Sequence, residues 1–193
     1  MRKGFIGVGV MGFPMAGHLS SNGFDVCIFN RSQEKASNWV TQFNGSLCSS
    51  PLDMASQCDI IILCVGKDED VKDVICGENG ILKSIKPGTI IIDHTTTSAT
   101  LSKDMNQILQ DKKAYFLDAP ISGGQAGAEE GKLSIMVGGD RQAFIKVKDI
   151  LGAYSKFVKY MGSSGSGQLS KMVNQICIGG LLQALAEGIN FSE

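Results

Sequence analysis

Apolar runs rich in β-branched residues punctuate this chain: GFIGV near the start, DVCIFN at 25–30, DIIILCV at 59–65, TIIID at 89–93 and AYFLDAP at 114–120. Most are continuous rather than alternating, which marks strands covered on both faces, as in a parallel sheet. Between them, apolar residues recur at helical spacing over 11–22, 33–43, 51–56, 69–75 and 97–110, and Ser32, Ser50 and either Thr96 or Thr97 stand where N-terminal caps belong. Strand alternating with helix predicts an α/β fold of the Rossmann type, a doubly wound and mainly parallel sheet. The 193 residues suffice for one such domain, or one domain and a piece of another.

The alternation continues through LSIMVGG at 133–139, a helix over 141–151 and a strand KFVKYMG at 156–162; then the texture changes. GSSGSGQ at 162–168 reads as a loop or linker, and it opens onto a segment with no internal proline that predicts one long helix. Leu169, Met172, Val173, Ile176, Leu181, Leu182, Leu185 and Ile189 recur there at helical spacing, and Cys177 and Ile178 extend the apolar surface around much of the circumference. A single sheet covers only part of such a helix, so something else must pack on it. The chain stops at Glu193 without a terminating glycine or proline, and the expectation is a fragment of a longer protein. The alternative is a terminal helix buried in a dimer.

Gly7, Gly9 and Gly12 form G-x-G-x-x-G directly after the first strand and at the mouth of the first helix. The first glycine permits the tight turn, the second lets the backbone approach a pyrophosphate, and the third lets helix pack closely on strand. With Val10 and Met11 between them, these residues are the candidate phosphate loop, where free helix N–H groups meet an anion. The spacing alone is weak in a chain with 24 glycines; its place between strand and helix gives it weight. At the end of the second strand an acidic residue would bind the adenosine ribose hydroxyls of NAD, but here the sequence is FNRS. Asn30 takes the acid's place, Arg31 follows, and Ser32 is a further donor. A guanidinium can pair with a 2′-phosphate that a carboxylate would repel, so NADP(H) is expected over NAD(H), which stays possible. An exposed arginine on an ordinary loop is the competing explanation. Val65 and Gly66, and then Asp93, His94 and Thr95, fall at strand ends where a doubly wound sheet binds ligand.

Eighteen basic against nineteen acidic residues leave a net charge of -1 and no long charge run, so neither nucleic acid nor an anionic membrane is an expected partner. The uninterrupted apolar runs fall short of the roughly 18 residues of a membrane helix. The glycine-broken N-terminus fits a strand and turn better than a secretory signal. Cys27, Cys48, Cys58, Cys64, Cys76 and Cys177 are scattered, without a CxxC pair, and read as buried thiols in a reducing compartment. A cytoplasmic protein is expected. Metal-ligand clusters and a Ser/His/Asp arrangement are not visible.

Reduction of a carbonyl by hydride needs a proton donor and a grip on the substrate. The two histidines, His18 and His94, sit in no nucleophile motif; His94 is a tempting donor, though a lone histidine is more often structural. Lys171 stands in the first turns of the long helix with Asn174 three residues on, so both lie on one helix face beside the glycine-rich hinge. Partial desolvation or a nearby cationic ring would lower a lysine's pKa and let it shuttle a proton. A solvated lysine at a helix start is the plain alternative. The stretch DAPISGGQAGAEEG at 118–131 is longer than a turn requires, and its small residues let backbone come close to a ligand.

Together FIGVGVMGFPMA, DAPISGGQAGAEEGKLSIMVGGD and GSSGSGQLSKMVNQ resemble the 3-hydroxyisobutyrate, or β-hydroxyacid, dehydrogenase family, which includes tartronate semialdehyde and glyoxylate/succinic semialdehyde reductases. The resemblance implies that Ser122, Gly123 and Gly124 bind a substrate carboxylate, that Lys171 is the general acid in reduction, and that Asn174 orients the substrate. It places Thr95, Val65 and Gly66 against the cofactor, although many members carry Leu-Pro or a similar pair at the latter turn. It implies a dinucleotide-binding domain over 1–163 and, over 164–193, the long helix that begins an all-α domain whose remainder is absent here. That missing part normally supplies further substrate contacts, including a second lysine, so the chain is expected to bind dinucleotide and turn over poorly. Members are commonly dimers or tetramers, and their partner is a small carboxylate-bearing aldehyde or hydroxyacid. An imine reductase, a 6-phosphogluconate dehydrogenase-like enzyme wanting more basic residues, and a non-catalytic dinucleotide-binding scaffold are the competing readings.

Overall fold

The computed structural model describes residues 1–192. The five expected runs are strands: β1 (Lys3–Ile6), β2 (Val26–Phe29), β4 (Ile60–Leu63), β5 (Ile90–Asp93) and β6 (Tyr115–Asp118), with a two-residue β3 (Ser46–Leu47) beside β2. They pair in parallel in the order β3-β2-β1-β4-β5-β6. β7 (Ile121–Ser122), β8 (Leu133–Gly139) and β9 (Ser155–Gly162) extend the sheet, β8 running antiparallel to β6 and β7 and parallel to β9. The result is a nine-stranded Rossmann-type α/β sheet.

Continuous apolar strands are needed because both faces are covered. Ile60, Ile62, Ile90, Ile92 and Leu117 belong to one buried cluster, and Ile61, Leu63, Ile91 and Phe116 to the other. Successive side chains of a strand point to opposite faces, so these runs feed two helical layers at once. Each isoleucine so buried contributes about 1.5–3 kcal/mol. α1 (Gly12–Ser21), α2 (Gln33–Gln42) and α7 (Arg141–Gly152) pack on the first cluster; α3 (Pro51–Gln57), α4 (Asp68–Cys76) and α5 (Ala99–Asp111) pack on the second.

Ser32 and Ser50 cap α2 and α3, accepting from Lys35 N and Asp53 N. The cap of α5 is Ser98, not Thr96 or Thr97: its hydroxyl accepts from Leu101 N, while the Thr97 amide is spent on Gln168. The stretch 118–131 is likewise not all loop, since it contains β7 and the six-residue α6 (Gly124–Glu129).

The cysteines differ from the uniform expectation of buried free thiols. Cys27 on β2 and Cys48 just past β3 form a disulfide across Cα atoms 6.2 Å apart, because adjacent parallel strands bring them together. Cys58 is buried, whereas Cys76 at the end of α4 and Cys177 are exposed.

α8 (Ser166–Ser192) is the long helix expected, with its first turns against β8, β9, β6 and α5. Beyond Gln168 its apolar residues, among them Ile176, Leu181, Leu182 and Leu185, face outward. Among the described residues it is the one helix long and apolar enough to cross a membrane by length and composition, because its 18-residue window collects apolar residues that no single run contains. Lys171, Asn174, Gln183 and Glu187 interrupt it.

Candidate active site

The C-terminal ends of β1, β2, β4 and β5 open on one side of the sheet, where a doubly wound fold places its ligand. Gly7 has φ +95°, and a Cβ there would overlap the Cys64 carbonyl oxygen; a Cβ on Gly12 would overlap Gly7 O. Gly9 has nothing within 4 Å of where its Cβ would stand. The two outer glycines are therefore demanded by the fold, and the middle one leaves free the space that a pyrophosphate would take at the N-terminus of α1.

Gly7, Gly9, Val10, Met11 and Gly12 line a cleft of about 560 Å³ together with Asn30, Arg31 and Val65. Asn30 is a bracket for that loop: Val8 N donates to its Oδ1 (3.1 Å) and its Nδ2 donates to Ser32 O (3.0 Å). Arg31 reaches over the cleft and is paired with Asp70 at 2.9 Å. Ser32 caps α2 and lies outside the cleft lining. Asp70, Asp73 and Glu78 give the far wall an acidic character that residue patterns had not signalled.

A second cavity of about 900 Å³ continues from the first, and Met11, Cys64 and Val65 line both. Its walls bring together Gly66, Thr95, Ser122, Gly123, Gly124, Lys171 and Asn174, residues from four separate parts of the chain. Lys171 Nζ donates to Ile121 O at 2.7 Å, and burial lowers its pKa from the ordinary lysine value. The Nδ2 of Asn174 is buried and has no hydrogen-bond partner among the described residues. Gly123 (φ +136°) and Gly124 (φ +62°) hold backbone shapes that side chains resist, which lets the chain turn into α6 beside the cavity. Val65 N donates to Thr95 Oγ1 (3.1 Å), joining the turns after β4 and β5.

His94 touches this cavity, but its ring is held on both sides. Nδ1 donates to Ala119 O at 2.6 Å, so Nε2 is left to accept from the Tyr154 hydroxyl at 2.8 Å. Burial takes its pKa down to about 4. A neutral, doubly bonded imidazole is a structural bolt rather than a proton donor. Asp93, before it, is fully buried, and its carboxyl is pushed up to about 7 by burial against the pull of Thr95. Asp118, Gln168 and Tyr154 escaped sequence reasoning, because each acts through long-range pairing that no local pattern encodes.

A glycine turn of this kind at the head of α1, directly after the first strand of a parallel sheet, defines a dinucleotide-binding domain. A sequence family described as the NAD binding domain of 6-phosphogluconate dehydrogenase matches residues 2–162. An uncharacterized oxidoreductase of Shewanella frigidimarina is 49% identical over 189 residues, covering 98% of this chain and 65% of that protein. A probable 3-hydroxyisobutyrate dehydrogenase-like protein of Arabidopsis thaliana is 35% identical over 192 residues, 100% of this chain and 64% of that protein. The solved structure of Mycobacterium tuberculosis 3-hydroxyisobutyrate dehydrogenase with L-serine superposes with a TM-score of 0.90 at 28% identity, over 97% of this chain and 64% of that one. The chain belongs to the NAD-binding domain family of 6-phosphogluconate dehydrogenase, among its 3-hydroxyisobutyrate dehydrogenase relatives. It spans 64% to 66% of the length of the first of the curated relatives it matches.

Proposed function

We propose that the protein containing this chain is an NADPH-preferring reductase of short semialdehydes and 2-oxo acids, acting in reverse as a 3-hydroxyacid dehydrogenase. The observation that carries this reading is the wall shared by the two cavities: Met11, Cys64 and Val65 lie between the glycine turn and the group formed by Lys171, Asn174 and residues 122–124. A cofactor whose pyrophosphate sits at Gly9 would pass its nicotinamide along that wall. The residues fit the cofactor, since the open space at Gly9 and the closed packing at Gly7 and Gly12 are what a pyrophosphate at this helix needs.

When bound, the nicotinamide supplies a hydride to the carbonyl carbon. Lys171, protonated, gives its Nζ proton to the developing alkoxide, and neutral Lys171 takes it back in the oxidative direction. Ser122 and the backbone of residues 123 and 124 hold the substrate carboxylate, and the unpartnered Asn174 amide offers a donor to the same substrate. Among the described residues Lys171 is the one lysine or arginine lining this cavity, which suits a single small carboxylate better than a sugar phosphate. L-serine, the small hydroxyacid of the mycobacterial structure, belongs to the same chemical class. Arg31, with no acid at Asn30, supports NADPH, although a 2′-phosphate must draw the guanidinium from Asp70.

NADPH and NADH oxidation by the intact gene product against succinic, methylmalonate and tartronate semialdehydes and glyoxylate tests the reading. Turnover on at least one is expected, abolished in Lys171→Ala with NADPH binding retained. No turnover on the whole panel would favour a non-catalytic dinucleotide-binding module. An Arg31→Ala variant with unchanged cofactor preference in kcat/KM would remove the NADPH assignment and leave the rest.

A further inference from the structure

Gln168 is fully buried at the start of α8, within the stretch GSSGSGQLSKMVNQ, where its residue type alone gives it no role. Its side chain is satisfied in a single sense: Nε2 donates to Thr95 O (2.7 Å) and Oε1 accepts from Thr97 N (3.1 Å). A primary amide so placed imitates a neighbouring strand, offering one donor and one acceptor to an extended backbone. Its own N–H donates to Asp118 Oδ2 (3.0 Å), and Gly165 N donates to Asp118 Oδ1 (2.8 Å). The carboxylate at the end of β6 thus pins the first turn of α8, using amides that a helix start leaves free.

These bonds form a continuous path. Val65 N is held by Thr95 Oγ1, Thr95 O by Gln168, and Gln168 lies one helical turn before Lys171. The turns that line the cofactor side of the second cavity and the helix that presents the lysine are therefore one hydrogen-bonded unit.

We propose that Gln168 is a positioning residue, setting Lys171 in register with the turn at Thr95 so that the proton donor and the cofactor face the same point. The inference rests on the reading of Lys171 as proton donor. Glutamine is required because methionine fills the space but leaves two buried backbone groups unpaired, and a glutamate carboxylate accepts from Thr97 N but cannot donate to Thr95 O. A protonated glutamic acid can do both.

Gln168→Met and Gln168→Glu, compared with the wild type and Lys171→Ala in the intact gene product, test this. Gln168→Met should lower kcat at least tenfold, with the Kd for NADPH changed less than threefold and the fold retained by circular dichroism. Gln168→Glu should recover kcat relative to wild type, severalfold, as pH falls from about 8 to 6, since the acid form restores the missing donor. Acylation of Lys171 by acetic anhydride, followed by mass spectrometry on the 193-residue chain, gives a readout without turnover: its rate relative to the other lysines should change severalfold in Gln168→Met. An unchanged kcat or an unchanged Lys171 acylation rate in a folded Gln168→Met overturns the inference alone. Full activity in Lys171→Ala overturns the reading beneath it.

Discussion

At the scale of single residues the site is an arrangement of buried polar groups, and its titrations oppose each other. His94 has a folded pKa of about 4 against an ordinary 6.5, so between those values the unfolded chain binds more protons and stability falls as pH falls. Asp93 has a folded pKa of about 7 against 3.8, so between those values the folded chain binds more protons, and stability falls as pH rises. Over the shared window the two slopes cancel in part, each being at most about 1.4 kcal/mol per pH unit. His94→Gln removes the first slope. The variant is expected to lose less stability than wild type on acidification from pH 6.5 to about 4, which urea unfolding at stepped pH measures. Lys171 titrates below the usual lysine range because burial disfavours its charge, so if it is the proton donor proposed above, the rate of carbonyl reduction by the intact gene product should fall on the alkaline side before pH 10.5. Lys171→Arg, charged throughout, is expected to lose about 10²–10⁴ in kcat and that alkaline limb with it, read from a kcat against pH profile. Lys171 stood out in the sequence as a candidate through its glycine-rich approach and the Asn174 spacing, and the role proposed for it came from the family resemblance. Gln168 and Asp118 were not, since their importance lies in partners 73 and 50 residues away.

At the scale of elements, the five apolar runs at the start, 25–30, 59–65, 89–93 and 114–120 each became a strand, because their length and their β-branched and aromatic content suit a segment buried on both faces. The short pieces were hidden. β3 and β7 have two residues each, too few for periodicity, and α6 is built from GQAGAE, whose glycines argue for loop although it forms a helix behind the positive-φ turn at Gly123. The disulfide between Cys27 and Cys48 was equally hidden, for pairing follows strand neighbours and not spacing. The β1–α1 junction is where sequence and structure agree most closely, and its glycines have separable roles. Gly12→Ala forces a Cβ into Gly7 O and should destabilise the fold by about 1–3 kcal/mol as well as abolish dinucleotide binding. Gly9→Ala meets open space, so its melting temperature should match wild type while the Kd for NADPH rises at least tenfold. Thermal unfolding beside a fluorescence titration separates the two. Equal melting temperatures for both variants would contradict the packing described.

At the scale of the whole molecule, α8 has two different halves. Its first turn is bound into the sheet by Asp118 and Gln168, yet the stretch from Ile176 to Phe191 turns leucines and isoleucines to solvent, with Ile176 74% exposed and Leu185 53% exposed. A fully buried side chain of this kind is worth about 1.5–3 kcal/mol, and a monomer rarely shows water a contiguous apolar patch beyond about 300–600 Å². A helix apolar on most sides, with scattered polar residues, is expected to be covered by protein, and the recurrence of Ile176, Leu181, Leu182, Leu185 and Ile189 carries the same expectation. We propose that in the 193-residue chain taken alone this half of α8 covers itself against a second copy. Light scattering after size exclusion is expected to give a mass that rises with concentration. Ile176→Lys combined with Leu185→Lys should return it to the monomer value, while the Kd for NADPH stays put because neither residue lines the glycine-turn cleft. A concentration-independent monomer mass for the wild type would mean that the exposed half of α8 tolerates water, and the case for a helix built to be buried would fail with it.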